Sequence, residues 1–290
     1  MTLDVGAAAR RALEATRGAL FRPLRVATWL KLGVIFFFAS FVDPAFGGGG
    51  FSRPRAPRAP HGAFPWPHPP EAAWLVFAAA FAFVALAVFG LALAWVGCRA
   101  SMMAYRAVAR RDADEALGAF REVGRPADAL FRSYAVVWLA SAALLVPLAT
   151  FAAWTALGLH ASGASDETVL RALVPHAVVA SAVLGAGMVA SFFVRAFVAP
   201  ILFHLGCTAR EAWRRTFALV RTSFGDVAVF VLARVALAFV VGVASTIVTF
   251  GTCCVGGLPI VHQTLLAPLL WFERAFTLEV ITPDVAATLR

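Results

Sequence analysis

The stretch AAWLVFAAAFAFVALAVFGLALAWVG, residues 72–97, contains no charged residue along its whole length. The hydrocarbon core of a bilayer is ~30 Å thick and needs ~20 apolar helical residues to cross it. Residues 72–97 are long enough, and residues 133–157 form a second stretch without any charge. These two stretches predict an all-α protein embedded in a membrane.

The overall composition supports the same conclusion. The chain has 290 residues, of which 61% are hydrophobic and only 14% are charged, and its mean hydropathy is +0.81. Soluble domains contain about 25% charged residues, so this composition excludes a soluble monomer. The formal net charge of +9 would indicate nucleic acid in a soluble protein. In a membrane protein it fits basic cytoplasmic loops instead, and we expect no nucleic-acid partner.

The apolar stretches predict a polytopic helical bundle with about six transmembrane helices. Four of them hold no more than one Lys, Arg, Asp or Glu, whereas Glu273 and Arg274 interrupt the last one. A lysine near the end of the first span, Lys31, can reach the interface with its long side chain. The predicted spans lie near residues 26–46, 72–97, 133–157, 173–206, 227–254 and 258–281.

The distribution of basic residues predicts the orientation. Alternate loops of the six-span arrangement differ strongly in their Lys and Arg content, and basic loops face the cytoplasm. Both termini are therefore predicted to be cytoplasmic, in a multi-pass protein of the bacterial inner membrane. The basic segments are residues 1–31, 98–132 and 207–224, with six, seven and four Lys or Arg residues, against three, one and none in 43–71, 158–172 and 255–257.

A Pro/Gly-rich segment follows the first predicted span. Residues 43–71 hold eight of the sixteen prolines and five glycines. Such a composition forms neither a helix nor a packed core. We interpret residues 47–71 as an extended loop on the outer face. A flexible spacer is the favoured role, and a proline-rich docking ligand is the alternative.

Three stretches share a pattern that begins with Glu-Ala at Glu14, Glu115 and Glu211. Each continues with Arg mixed among Leu, Phe or Trp, as in a helix that lies flat at the membrane interface, and leads into a span. The first such helix is predicted over residues 5–22. The arrangement predicts three tandem hairpins, each with a cytoplasmic interfacial amphipathic helix. Parallel repeats of this kind occur in transporters.

Residues Phe197–Leu237 resemble the membrane domain found beside bacterial glycerophosphoryl diester phosphodiesterases, and related multi-pass proteins of unknown function. The resemblance rests on a small set of matching positions. It implies a polytopic inner-membrane protein but no activity, because the phosphodiesterase chemistry belongs to a separate soluble domain. The matching positions are Phe197, Pro200, Ile201, Leu202, Glu211, Ala212, Arg215 and Leu219.

Charged residues inside predicted spans are the candidate site residues, because charges are costly to bury in a membrane. Arg195, Arg234, Glu273 and Arg274 are predicted roughly 10–17 Å from the cytoplasmic face, at ~1.5 Å per helical residue. We expect Arg234 to pair with Glu273. The remaining arginines could bind an anion such as a lipid phosphate. The alternative is that the pair is structural and the other arginines reach the headgroups.

The adjacent Cys253 and Cys254, with His262 eight residues further on, are the alternative candidate site. An intramembrane enzyme acting on lipid or peptide would need such a nucleophile beside a base. A metal site is disfavoured, because two adjacent cysteines on one helix do not point at the same ion and Glu273 lies too far along the chain. No phosphate-binding, serine-hydrolase or dinucleotide motif occurs, and no cofactor is expected.

These observations favour a non-enzymatic membrane protein. Its predicted ligand is an anionic lipid or a small solute, bound through the polar layer of Arg195, Arg234, Glu273 and Arg274. Helix-breaking prolines within or beside the predicted spans, such as Pro147 and Pro268, favour transport. A membrane-scaffold role instead predicts a protein partner at the basic segment 98–132.

Overall fold

The computed structural model describes residues 4–21, 25–42, 69–114, 116–252 and 258–288. The regular elements in these ranges are all helical, so the all-α prediction is confirmed. A 3₁₀ helix covers Ala116–Phe120, and a π-helical segment covers Val194–Val198. The α-helices are α1 (Val5–Phe21), α2 (Val26–Ala39), α3 (Pro69–Arg110), α4 (Gly124–Ala161), α5 (Asp166–Phe193), α6 (Ala199–Leu205), α7 (Ala209–Thr222), α8 (Phe224–Gly251) and α9 (Pro259–Thr288).

Four helical stretches among the described residues are long and apolar enough to cross a membrane. A shorter apolar helix, α2, adds to them. Helix α9, with 30 residues, is similar in length to the four stretches but contains charged residues such as Glu273 and Arg274. The count of six spans and their arrangement in hairpins stay predictions. The predicted loop 47–71 lies almost entirely outside the described residues. The four stretches are Phe81–Arg110, Gly124–Ala161, Asp166–Leu205 and Phe224–Gly251.

Helix α3 continues well beyond the predicted span 72–97. It ends only at Arg110, so the first thirteen residues or so of the predicted loop 98–132 are helical. The residues from Phe81 to Ala92 are exposed, whereas most of those between Cys98 and Val108 are buried. The sequence interpretation ended the span at the first charge, Arg99. The helix continues because this polar part packs against protein.

The chain divides into two compact units. The first unit consists of Met1–Asp128 and Leu219–Arg290, and the second of Ala129–Ala218. In the first unit, α9 contacts α1, α2, α3 and α8. Its side chains from Leu270 to Ile281 are buried almost all round the helix. Helix α9 is therefore the centre of the first unit, and its low hydropathy reflects a protein environment on every side.

Backbones approach one another closely around α2. A side chain at Gly33 would collide with Thr264 of α9, whose Cα would lie 2.9 Å from the added Cβ. Likewise, a Cβ at Gly97 of α3 would lie 2.8 Å from the carbonyl oxygen of Phe38. Small residues at such positions let membrane helices pack backbone to backbone. An ion pair of 2.8 Å between Arg11 and Glu279 also connects α1 to α9.

In the second unit, α4 and α5 expose most of their apolar side chains, as lipid-facing helices do. The two helices meet at Gly187, where a Cβ would lie 2.8 Å from Ser141 Oγ. The rings of Phe151 and His176 also make contact, with centroids 5.4 Å apart. Gly187 lies in the predicted fourth span, and its lack of a side chain allows α5 to contact α4.

We predict that Gly33→Ala destabilises the protein by about 1–3 kcal/mol, because the added methyl group overpacks the contact with Thr264. The matched control is Gly90→Ala in α3, where a Cβ meets nothing within 4 Å. This control should be neutral or stabilise by up to about 1 kcal/mol. Thermal unfolding of the purified protein in detergent measures both. Equal stability of the two variants would contradict the proposed close packing.

Candidate functional site

An ion pair lies in the core of the first unit. Arg234 Nη2 of α8 is 2.6 Å from Glu273 Oε1 of α9, and both residues are 1% exposed. Arg234 Nη1 also donates to Thr277 Oγ1 at 2.9 Å. The Thr277 hydroxyl in turn donates to the Glu273 carbonyl oxygen, one helical turn away, at 2.8 Å. The pairing of Arg234 with Glu273 predicted from the sequence is present as an ion pair, and Thr277 accepts a hydrogen bond from the same arginine.

Arg274 follows Glu273 in the chain and is 3% exposed. Consecutive helical residues point about 100° apart, so Arg274 contacts another helix, α3. Its Nη1 donates to the Tyr105 hydroxyl at 3.2 Å, and its guanidinium carbon lies 5.0 Å from the centre of the Tyr105 ring. Arg234, Glu273 and Arg274 therefore form one polar layer, which connects α3, α8 and α9 within the first unit.

Arg195 lies in the second unit and is 4% exposed. It sits in the π-helical segment that precedes Pro200. A proline cannot donate a backbone hydrogen bond, and its ring crowds the carbonyl of Ala196, so the wider π turn accommodates it. Such turns are frequent at functional sites. The predicted membership of Arg195 in the polar layer stays a prediction.

The alternative site is described only in part. Cys253 and Cys254 lie outside the described residues. His262 is 1% exposed, and its Nε2 is 3.0 Å from Ser245 Oγ of α8. Among the residues that the structure describes, no group of three or more His, Cys, Asp or Glu side chains could hold a metal ion. His262 therefore connects α8 and α9 through a serine that the sequence interpretation did not single out.

Asp114 connects the turn after α3 to the start of α2. It accepts hydrogen bonds from Thr28 Oγ1 at 2.6 Å and from Arg25 Nη1 at 2.9 Å, and Lys31 Nζ lies 3.6 Å away. The hydrogen bond from Thr28, with further contributions from Arg25 and Lys31, lowers the pKa of Asp114 below its ordinary value, although partial burial opposes the shift. The folded protein therefore binds a proton at Asp114 less readily than the unfolded chain.

A family model described as "Family of unknown function (DUF7544)" matches residues 4–289, nearly the whole chain. The chain belongs to this family. Searches of curated proteins and of solved structures found no match. Membership of a family of unknown function, together with the four long apolar helical stretches, is compatible with a membrane protein.

Two residues that hydrogen-bond to the polar layer of this DUF7544 protein, Thr277 and Tyr105, were not predicted from the sequence. Thr277 lies four residues after Glu273, on the same face of α9, and this spacing is a signal that the sequence does contain. Tyr105 fell within the predicted loop 98–132, and only the continuation of α3 brings it to Arg274. No local pattern indicates that contact, because the two residues are 169 positions apart.

We predict that Arg234→Met and Glu273→Met each destabilise this DUF7544 protein by about 3–5 kcal/mol, because each leaves a buried charge without its partner. The double variant should lose clearly less than the two losses added together, because both charges are then absent. Thermal unfolding in detergent provides the three values. Strict additivity would show that the pair is not coupled.

We also predict a pH dependence from Asp114. A carboxylate with a lowered pKa in the folded state stabilises the protein above its ordinary pKa, and this stabilisation is lost as the pH falls through the folded value. Between about pH 5 and pH 3, the wild type should therefore lose more stability than Asp114→Asn. Thr28→Val keeps the carboxyl group of Asp114 but removes the hydrogen bond that contributes most to its lowered pKa, so this variant should also lose less stability than the wild type. Parallel curves for all three proteins would contradict the prediction.

Proposed function

We propose that this DUF7544 protein is a multi-pass protein of the bacterial inner membrane that binds an anionic lipid or a small anionic solute. The proposed role is transport or membrane scaffolding, without catalysis. The observation that carries the proposal is the polar layer of Arg234, Glu273 and Arg274, three charged residues that are 1–3% exposed in a mostly apolar core. Ionisable groups inside a membrane domain are expensive, and they commonly mark ligand or ion pathways.

The three residues of the polar layer make different contacts, so we propose different roles for them. Arg234 and Glu273 hold each other at 2.6 Å, and the pair fixes α8 against α9. Arg274 faces α3, where its planar guanidinium lies beside the hydroxyl of Tyr105. A guanidinium can bind a phosphate or carboxylate through two parallel hydrogen bonds. We therefore propose Arg274 as the main anion-binding residue and the Arg234–Glu273 pair as its rigid support.

Arg195 is a separate candidate for the same function. It is buried in the π-helical segment of the second unit, and its contribution is proposed independently of the layer. The resemblance of Phe197–Leu237 to membrane domains beside phosphodiesterases supports the inner-membrane location. The Lys and Arg distribution supports cytoplasmic termini. A protein partner at the basic segment 98–132 remains the form that a scaffold role would take.

The alternative, an intramembrane enzyme that uses Cys253 or Cys254 with His262, finds less support. The His262 ring is 1% exposed and is held by Ser245 at 3.0 Å. A general base has to reach the proton that it abstracts from a bound substrate. An enclosed imidazole hydrogen-bonded to the neighbouring helix suits a contact between α8 and α9 better than this task.

Native mass spectrometry of the full-length protein in a mild detergent tests the binding proposal. The wild type should retain an anionic lipid or metabolite, and Arg274→Met should retain at least tenfold less of it, because the anion loses a charge-assisted contact. Arg195→Met is measured separately. Arg171→Met is the matched control, since Arg171 is exposed and pairs only locally with Glu167.

Thermal unfolding decides whether a lost ligand reflects lost folding. If Arg274→Met unfolds at a lower temperature than the wild type, Arg274→Lys replaces it in the test. This variant keeps the charge but cannot form two parallel hydrogen bonds, so it should still retain less of the anion than the wild type. The proposal would be wrong if the wild type retained no anion. It would also be wrong if Arg274→Met, properly folded, retained as much as Arg171→Met.

A further inference from the structure

A cavity of about 370 Å³ opens in the first unit at the end of α3. Its volume lies in the range of small-molecule sites. The cavity is lined by charged residues of both signs, together with three alanines and a glycine. The charged lining residues are Arg106, Arg110, Asp112, Asp114 and Glu122.

The basic side of the cavity comes from two arginines one turn apart on α3. Arg106 forms an ion pair with Glu122, and Arg110 Nη2 lies 4.0 Å from the same carboxylate. The side chain of Arg110 is 52% exposed, whereas that of Arg106 is 22% exposed. Arg110 is therefore the more accessible of the two arginines, and the Arg106–Glu122 pair connects α3 to the segment before α4.

The acidic side comes from the turn that ends α3. Asp112 Oδ1 accepts a hydrogen bond from the backbone N–H of Asp114 at 2.9 Å. The turn begins at Arg111, whose φ of 54° lies in the left-handed region. Glycine is the usual residue for that conformation at a helix end. The turn is thus kept in a costly shape that places Asp112 and Asp114 on the cavity, and such strain is frequent at ligand sites.

The position of the cavity along the bundle indicates the source of its ligand. Asp114 contacts Arg25, Thr28 and Lys31, which lie at the start of the apolar helix α2. Basic residues at the end of an apolar helix mark the level of the lipid headgroups. The cavity therefore lies where the polar part of a phospholipid would be found.

We propose that this cavity binds a phosphoethanolamine group. Its phosphate contacts the guanidinium of Arg110, and its primary ammonium group donates to the carboxylate of Asp112. Two carbon atoms separate the two groups, so both fit within one small cavity that an arginine and an aspartate line. This site is distinct from the polar layer of the proposed function and involves none of its residues.

The test uses the full-length protein in detergent and soluble probes measured by calorimetry. O-phosphoethanolamine should bind, and ethyl phosphate, which lacks the ammonium group, should bind at least tenfold more weakly. Arg110→Gln should weaken both probes. Asp112→Asn should weaken only O-phosphoethanolamine and so remove the preference between them, a result that general misfolding cannot produce. Arg171→Gln, at an exposed arginine that pairs with Glu167, should leave both affinities unchanged.

A second measurement distinguishes the source of the group. In nanodiscs, phosphatidylethanolamine should prevent binding of the soluble probe if a lipid headgroup occupies the cavity, whereas phosphatidylglycerol should not. Binding that is equally strong in both kinds of nanodisc assigns the cavity to a free solute of the same chemistry. The proposal is overturned if O-phosphoethanolamine does not bind. It is also overturned if it binds no better than ethyl phosphate, or if Asp112→Asn keeps the preference.

Discussion

The Arg234–Glu273 pair is the constraint on which the first unit depends. Two opposite charges 2.6 Å apart, each 1% exposed, tolerate burial only while each has the other as its partner. Helix α9 therefore cannot lie at the lipid-facing surface over this part of its length. Helices α1, α2, α3 and α8 all contact it, and the charged pair explains why a helix of modest hydropathy occupies the centre.

Enclosing α9 requires neighbours that come close. Gly33 allows α2 to lie against Thr264 of α9, and Gly97 allows α3 to lie against the backbone of Phe38. In a membrane there is little hydrophobic gain when apolar helices meet, so close packing and polar contacts have to hold them together. The glycines and the polar layer therefore act jointly. The glycines permit the close approach of the helices, and the polar layer makes the assembled arrangement specific.

The sequence was sufficient for the features that depend on local composition. Charge-free stretches such as 72–97 predicted apolar helices, and the need of a buried arginine for a carboxylate partner predicted the pair of Arg234 and Glu273. Features that depend on distant contacts were not predictable. The continuation of α3 to Arg110 looked like a loop, because hydropathy does not distinguish a polar helix covered by protein from one in water. Tyr105 and the cavity beyond it were missed for the same reason.

The two candidate sites differ in how a ligand could reach them. At Arg274, 3% exposed and adjacent to a sealed ion pair, an anion can exchange only if α3 separates from α9, and this separation breaks the contact with Tyr105. At the end of α3, Arg110 is half exposed on an open cavity, so exchange needs only a side-chain rotation. Side-chain rotations occur in nanoseconds, whereas helix movements take microseconds or longer. Rapid exchange is therefore expected at the cavity, and slow, tightly retained binding at the polar layer.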